Sequence, residues 1–254
     1  VRSAPGADGR LDVALEACSG RPAMRARAED VLPRCPAQPT CPDCVALTHL
    51  DEASLLDNVC RRYAQGEIYT YVSHVLLAVN PHRVLPGLYG PAAMAPYLMQ
   101  PSRGSRPPPH PYAVAEAALR GSRRGEGQAV VISGESGAGK TETVKILLDY
   151  VEARLAGRRE QRGAPRQPPG LRAERGVLAV GRVLESFGHA STSRNANSSR
   201  FGKYVRLRLG PAGASAQVDT FLLEACRMVS RTAGERSFHV FYELLAGASE
   251  EGRR

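Results

Sequence analysis

Apolar residues recur along this chain with two different periods, and their alternation predicts an α/β architecture. Val144, Leu147, Leu148 and Val151 stand at i, i+3, i+4 and i+7, so Thr141 to Leu155 reads as an amphipathic helix. Just before it, Gln128-Ala129-Val130-Val131-Ile132-Ser133 is a short β-branched run that reads as a buried strand. Leu55, Leu56, Val59, Cys60 and Tyr63 make an apolar helical face, and Gly66 follows as a helix-ending glycine. Ile68 to Val72 and His74 to Val79 read as strands, the second continuous enough to be buried on both faces. Tyr112 to Leu119 reads as a helix packed beside the 128–133 strand. Val177, Val180, Leu184 and Phe187 stripe another helix, with Gly188 beyond its end. Lys203 to Leu209 alternates, with Val205, Leu207 and Leu209 on one face and Arg206 and Arg208 on the other. Gly210-Pro211-Ala212-Gly213 turns the chain, Gln217 to Leu223 returns, and the pair is expected to extend a central sheet. Phe238, Phe241, Tyr242 and Leu245 mark a last, core-facing helix.

Between these elements the pattern breaks down. Residues 1–44 mix Pro, Ala, Arg and Gly without sustained periodicity and read as an irregular extension, with a short helix over Leu11 to Ala17 at most. Prolines rule out a continuous helix over residues 101–111, and the basic, Pro-rich stretch 157–175 reads as a second surface loop. A chain of 254 residues can bury a full core in one or two domains. Its net charge of +9 raises the question of nucleic acid, but much of the excess lies in the tracts Arg103 to Arg106 and Arg154 to Arg175. No aromatic residues interleave there as base-stacking platforms, so nucleic-acid binding is not expected. There is no run of about 18 apolar residues to span a bilayer. The first ten residues also lack the basic-then-apolar order of a signal peptide, so a soluble intracellular protein is expected. Cys35, Cys41 and Cys44 cluster, and Cys41-Pro42-Asp43-Cys44 has a spacing that suits zinc or a redox pair, with Cys18, His49 or Cys60 as a fourth ligand. No second C-x-x-C is present and the segment is rich in proline, so free thiols are the expectation.

The chemistry concentrates between the 128–133 strand and the helix after it. Gly134-Glu135-Ser136-Gly137-Ala138-Gly139-Lys140-Thr141 fits the phosphate-binding pattern G-x-x-x-x-G-K-[ST] at every fixed position. Glycines let successive N–H groups approach a polyphosphate without Cβ atoms in the way, and the new helix adds its positive end. Lys140 is expected to reach the β- and γ-phosphates and Thr141 to offer its hydroxyl to Mg²⁺. The fold class expected is therefore an α/β P-loop NTPase, a central mixed sheet flanked by helices.

Four ordered stretches narrow the family. GESGAGKTE, from Gly134, resembles the phosphate loop of myosin motor domains. Asn195-Ala196-Asn197-Ser198-Ser199-Arg200-Phe201-Gly202-Lys203-Tyr204 resembles the myosin switch I segment. Leu222-Leu223-Glu224-Ala225-Cys226-Arg227-Met228-Val229 and Glu235 to Gly247 resemble two further stretches of the same family. The resemblance covers roughly residues 45–250 and places residues 45–254 as the N-terminal part of a motor domain, an incomplete motor core. A whole motor is much longer, and both ends of this chain read as cut. No D-x-x-G-x-E pattern of switch II occurs before Arg254.

The resemblance implies an ATP-dependent actin motor. Asn195 would contact phosphate, Ser199 would join Thr141 on Mg²⁺, Ser198 would lie near the attacking water, and Arg200 would pair with a switch II glutamate. Asn80, Pro81 and Tyr89 resemble the family's purine loop, with Gly87 as one extra residue, and would hold adenine. His110 and Tyr112 would be structural. Ala196 and His189 depart from the family pattern without touching an implied ligand. Actin filaments and calmodulin-like light chains are the implied partners, and the cytoplasmic cytoskeleton the implied location. Two other readings compete. One is a nucleotide-binding pseudo-motor or truncated remnant without turnover, motivated by an Arg200 lacking its glutamate. The other is a small-molecule phosphotransferase of the P-loop class.

Overall fold

The computed structural model describes residues 10–13, 24–27, 39–98, 106–161, 173–210, 213–249 and 252. The chain divides into two compact units, residues 1–77 and 78–254.

In the first unit, β1 (Arg10–Val13) pairs antiparallel with β2 (Met24–Arg27). A strand therefore stands where residues 11–13 were expected to start a short helix, because each half of the pair supplies the other's backbone partners. Residues 14–17 lie outside the described residues. A 3₁₀ turn at Cys44–Ala46 leads to α1 (Glu52–Ala64), whose N-cap Asp51 accepts from Ser54 N at 2.8 Å. Gly66 follows at φ +82°, the left-handed geometry its position calls for. Then come β3 (Tyr69–Val72) and β4 (Val75–Ala78), which pair as a two-stranded sheet.

The face that α1 buries is not the apolar one. Ser54, Asn58 and Arg62 are buried, whereas Leu56 and Tyr63 are exposed. Hydrogen bonds decide this. Asn58 Nδ2 donates to Cys41 O at 2.9 Å, and Cys41 N donates back to Asn58 Oδ1 at 2.9 Å. Arg62 gives Nε to Thr70 Oγ1 at 3.0 Å and Nη2 to Tyr69 O at 2.9 Å, and it pairs with Glu67 at 2.6 Å. A helix whose polar stripe supplies the missing partners of neighbouring backbone is held inward by that stripe. β4 differs from expectation in the same way. It is half exposed, with Val75 at 49% exposure, and among the described strands only β3 pairs with it.

The second unit opens with α2 (Pro91–Leu98), which the apolar pattern did not foretell, and α3 (Pro111–Arg123), which starts with Pro at its first turn. The expected loop 101–111 is irregular at 106–110, and 101–105 lies outside the described residues. α4 (Lys140–Gln161) runs past the point where a loop was expected, and α5 (Ala173–Gly188) starts within it, with 162–172 outside the described residues. β5 (His189–Ala190) pairs with β6 (Ser198–Ser199). β7 (Gly202–Gly210) and β8 (Gly213–Phe221) form a nine-pair antiparallel hairpin whose Val205 meets Val218 and Leu207 meets Ala216. Its predicted alternation holds over 205–208, with Val205 and Leu207 half-buried and Arg206 and Arg208 exposed, but ends at Leu209, which is exposed near the hairpin end. α6 (His239–Gly247) closes the unit.

Two expectations fail here, and a third, the joined central sheet, is not seen among the described strands. Residues 128–133 form no strand, and Val131 is 87% exposed. A strand exists only through a neighbour's hydrogen bonds, and no described strand lies beside this run. For the same reason the described strands form four two-stranded pairs rather than one central mixed sheet. α6 buries none of its own residues; Phe238 just before it is buried, while Leu244 and Leu245 are exposed.

α3 packs on α4, and at its last turn Gly121 also lies against the Gln128 side chain. Tyr112, 1% exposed, stacks on the fully buried Tyr150 at 5.1 Å between centroids. One turn along α3, buried Glu116 accepts from Arg120 (2.9 Å), Arg154 (3.2 Å) and Tyr150 Oη (3.1 Å). Burial pushes the Glu116 carboxyl up, but donation from Arg120 and the charge and donation of Arg154 outweigh it and hold it below the usual range. Tyr150→Phe should cost about 1–2 kcal/mol by removing one donor from this carboxylate. Glu116→Ala should cost more, about 3 kcal/mol, by leaving arginine charge unpaired. Urea unfolding of both variants measures the difference, and equal losses would contradict the network.

Candidate functional site

The glycine loop adopts the backbone its sequence requires. Gly134, Gly137 and Gly139 have φ of +156°, +83° and +96°, and side chains at the last two would be strained. The loop feeds directly into α4, whose first residue is Lys140. Lys140 Nζ folds back to donate to Gly134 O and Glu135 O, both at 2.7 Å. Thr143 Oγ1 donates to Gly139 O at 3.0 Å, and Thr141 lies exposed on the first turn.

Residues about sixty positions later meet this loop. Ser136 Oγ donates to Ser198 Oγ at 2.9 Å and accepts from Asn195 Nδ2 at 3.3 Å. Ser198 is 1% exposed, and its oxygen also accepts from Arg200 Nη1 at 3.3 Å. An exposed ion pair of Arg194 with Glu135, 3.6 Å, lies alongside. The segment 191–200 is shaped locally: Thr192 Oγ1 accepts from Asn195 N at 3.2 Å, and Asn195 Oδ1 accepts from Asn197 N at 3.0 Å. His189 Nδ1 and His239 Nε2 both reach Asn197 Oδ1, at 2.9 and 3.1 Å. An amide oxygen only accepts, so both ring nitrogens carry protons. Burial lowers the His189 pKa, offset in part by Asn197.

Of the residues singled out by sequence, Gly134 to Thr141, Asn195, Ser198 and Arg200 are brought to one place. Asn80 joins them, with Nδ2 donating to Gly137 O at 2.7 Å while its Oδ1 accepts from His82 N at 2.9 Å. Ser199 is different: its hydroxyl donates to Phe201 O at 3.0 Å. Pro81 is half-buried and Tyr89 is exposed at 40%. Tyr89 lies 5.7 Å from the His110 ring, which lies 4.2 Å from Tyr112, so an aromatic series links this loop to the α3–α4 core. Gly87, the extra residue, has φ +76°.

Arg200 does not wait for a distant partner. Its Nε donates to Glu224 Oε2, which also accepts from Arg227 Nε at 2.7 Å. Sequence reasoning missed Glu224, Arg227 and Glu235. Their charges, set among apolar letters, were the available signal. Cys41, Cys44, Cys60 and Cys226 are free thiols, and no group of three metal-ligating side chains occurs among the described residues. Cys18 and Cys35 lie outside them.

A left-handed glycine loop opening a helix, faced by a serine- and asparagine-rich segment, is the arrangement this geometry defines. Residues 41–254 match the family described as myosin head (motor domain), and the chain belongs to that family. Among similar proteins are Myosin-7 of Arabidopsis thaliana, 40% identical over 93% of this chain and 13% of its own length. The Myosin IA heavy chain of Dictyostelium discoideum is 40% identical over 84% of this chain and 20% of its own. Unconventional myosin-Ia of Homo sapiens is 42% identical over 82% and 19%. The chain thus spans a fifth or less of these relatives' lengths. No described helix is long and apolar enough to cross a membrane.

His110 caps α3 and carries a pH dependence. Tyr112 N–H donates to its Nδ1 at 3.1 Å, and Leu88 O lies 3.2 Å from its Nε2. A backbone amide only donates and a carbonyl only accepts, so the ring is neutral with its proton on Nε2. Burial lowers its pKa to about 4, against a smaller upward pull from Leu88. The unfolded chain takes up this proton near pH 6.5 and the folded one does not, so stability is full above that pH and falls as pH drops toward 4. Between pH 7 and 5 the His110 contribution should fall by about 2 kcal/mol. Urea unfolding at both pH values checks this: His110→Asn, which keeps a cap, should flatten the dependence by that amount.

Proposed function

We propose that residues 45–254 are the N-terminal part of a motor domain that binds ATP with Mg²⁺, behind an N-terminal extension over residues 1–44. The protein carrying them couples hydrolysis to movement on actin filaments and works on the cytoskeleton. The observation that carries this reading is the meeting of Ser136 with Asn195 and Ser198, which sets a switch segment against the phosphate loop.

The residues fit the cofactor. The left-handed glycines present amides to a polyphosphate, and Lys140 needs only to leave two neutral carbonyls to reach an anion. Thr141 and Ser199 offer hydroxyl oxygens, the hard donors Mg²⁺ takes. When bound, the ion supplies charge neutralisation at the β- and γ-phosphates. Asn195 lines the phosphate side, Ser198 faces the loop from a dry position, and Arg200 holds Ser198 in place. Asn80 fastens the purine loop to Gly137, with Pro81 and Tyr89 nearby in sequence to receive the base. The pseudo-motor reading loses its motive, because Arg200 already has a carboxylate partner in Glu224.

Titration of the 254-residue chain with a fluorescent ATP analogue and Mg²⁺ tests the reading. Lys140→Ala should weaken binding about a hundredfold, while Arg194→Ala, removing an exposed pair, should change it little. Equal binding by wild type and Lys140→Ala would sink the proposal. For turnover, phosphate release by the longer protein, with filamentous actin, must exceed that of its Lys140→Ala variant.

A further inference from the structure

The segment 224–236 grips the switch at both ends. At one end, Glu224 N donates to Arg200 O at 2.9 Å. At the other, Arg236 N donates to Ser191 O at 2.9 Å and Ser193 N reaches Glu235 Oε1 at 3.4 Å. Between these anchors run side chains of alternating charge. Glu224 takes Arg200 and Arg227 on one carboxylate, and Arg227 gives Nη2 to Glu235 Oε2 at 2.9 Å and Nη1 to Arg236 O at 3.0 Å. Arg227 is 4% exposed, so its donors meet little competition from water. The donations of Arg227 and Arg200 hold the Glu224 carboxyl below the usual range.

The series continues into the site. Arg200 Nη1 reaches Ser198 Oγ, and Ser198 Oγ receives Ser136 of the phosphate loop. Arg200 therefore has one nitrogen on Glu224 and another on the hydroxyl that touches the loop. A planar guanidinium fixed at Nε cannot swing its Nη1 away without breaking the first bond.

We propose that Glu224 is a positioning residue of the nucleotide site: anchored by Arg227, it holds Arg200, and through Arg200 it sets Ser198 against Ser136. It thereby tunes how tightly the switch closes on a polyphosphate, a statement that rests on the ATP-site reading above. The carboxylate comes from this chain's own 224–236 segment, so the switch is docked before any other acidic group engages Arg200.

Two measurements on the 254-residue chain test this together: hydrogen exchange of the amides of residues 195–201, and titration with a fluorescent ADP analogue and Mg²⁺. Glu224→Gln should raise that exchange and weaken the analogue, each about tenfold, with α3 and α4 amides unchanged. Glu224→Asp should restore most of both. Because Glu224 acts through Arg200, the double variant Arg200→Ala/Glu224→Gln should match Arg200→Ala alone. Wild-type exchange and affinity in Glu224→Gln would overturn the proposal. So would effects that multiply with those of Arg200→Ala, or loosening spread equally over α3 and α4. If the wild type takes no nucleotide while switch exchange responds as expected, the positioning role stands and the ATP reading alone fails.

Discussion

The hydroxyl contact between Ser136 and Ser198 is the joint on which the site depends. It is small, but it is dry on one side, and both Asn195 and Arg200 hydrogen-bond to it. Asn195 completes it from the switch, Arg200 supports it from behind, and the glycine backbone allows Ser136 to present itself. A buried hydroxyl without partners would be costly, so Ser198 is held where its partners are.

What the sequence made legible was what local chemistry decides. The left-handed glycines of the loop, the helix starting at Lys140, Gly66 behind α1 and the alternation of Val205, Arg206, Leu207 and Arg208 follow from φ/ψ limits and side-chain period. The phosphate loop, Asn195, Ser198 and Arg200 were legible as a set through ordered motifs, and they do converge. What the sequence hid depends on partners far along the chain. Val130 and Val131 have strand character, yet strand formation belongs to the neighbour as much as to the run itself. The apolar face of α1 was plain to read, but Asn58 and Arg62 win burial because residues 41 and 69–70 need their donors. Glu224 looked like one letter of a motif, and only the folded backbone sets it beside Arg200.

Buried polar groups recur at each level of this architecture. Glu116 between α3 and α4, Arg62 under β3 and Arg227 behind the switch are each buried with their charge matched. Such groups add less stability than an apolar core of equal volume, but they tolerate far fewer alternative arrangements. His110 extends the same logic to a neutral ring whose two nitrogens are both spoken for.

The β7–β8 hairpin has a consequence for how the chain reaches this arrangement. Gly210 pairs with Gly213 and seven further pairs follow to Lys203 with Thr220, so the ladder zips from a turn of adjacent residues. Ser136 and Ser198 are 62 positions apart, and closing a loop of that length costs roughly 2–3 kcal/mol more than closing the hairpin turn. The hairpin is thus a local product that the chain can make and remake quickly. The site is a non-local one, and it exists only after α4, α5 and the segments between them have found their places.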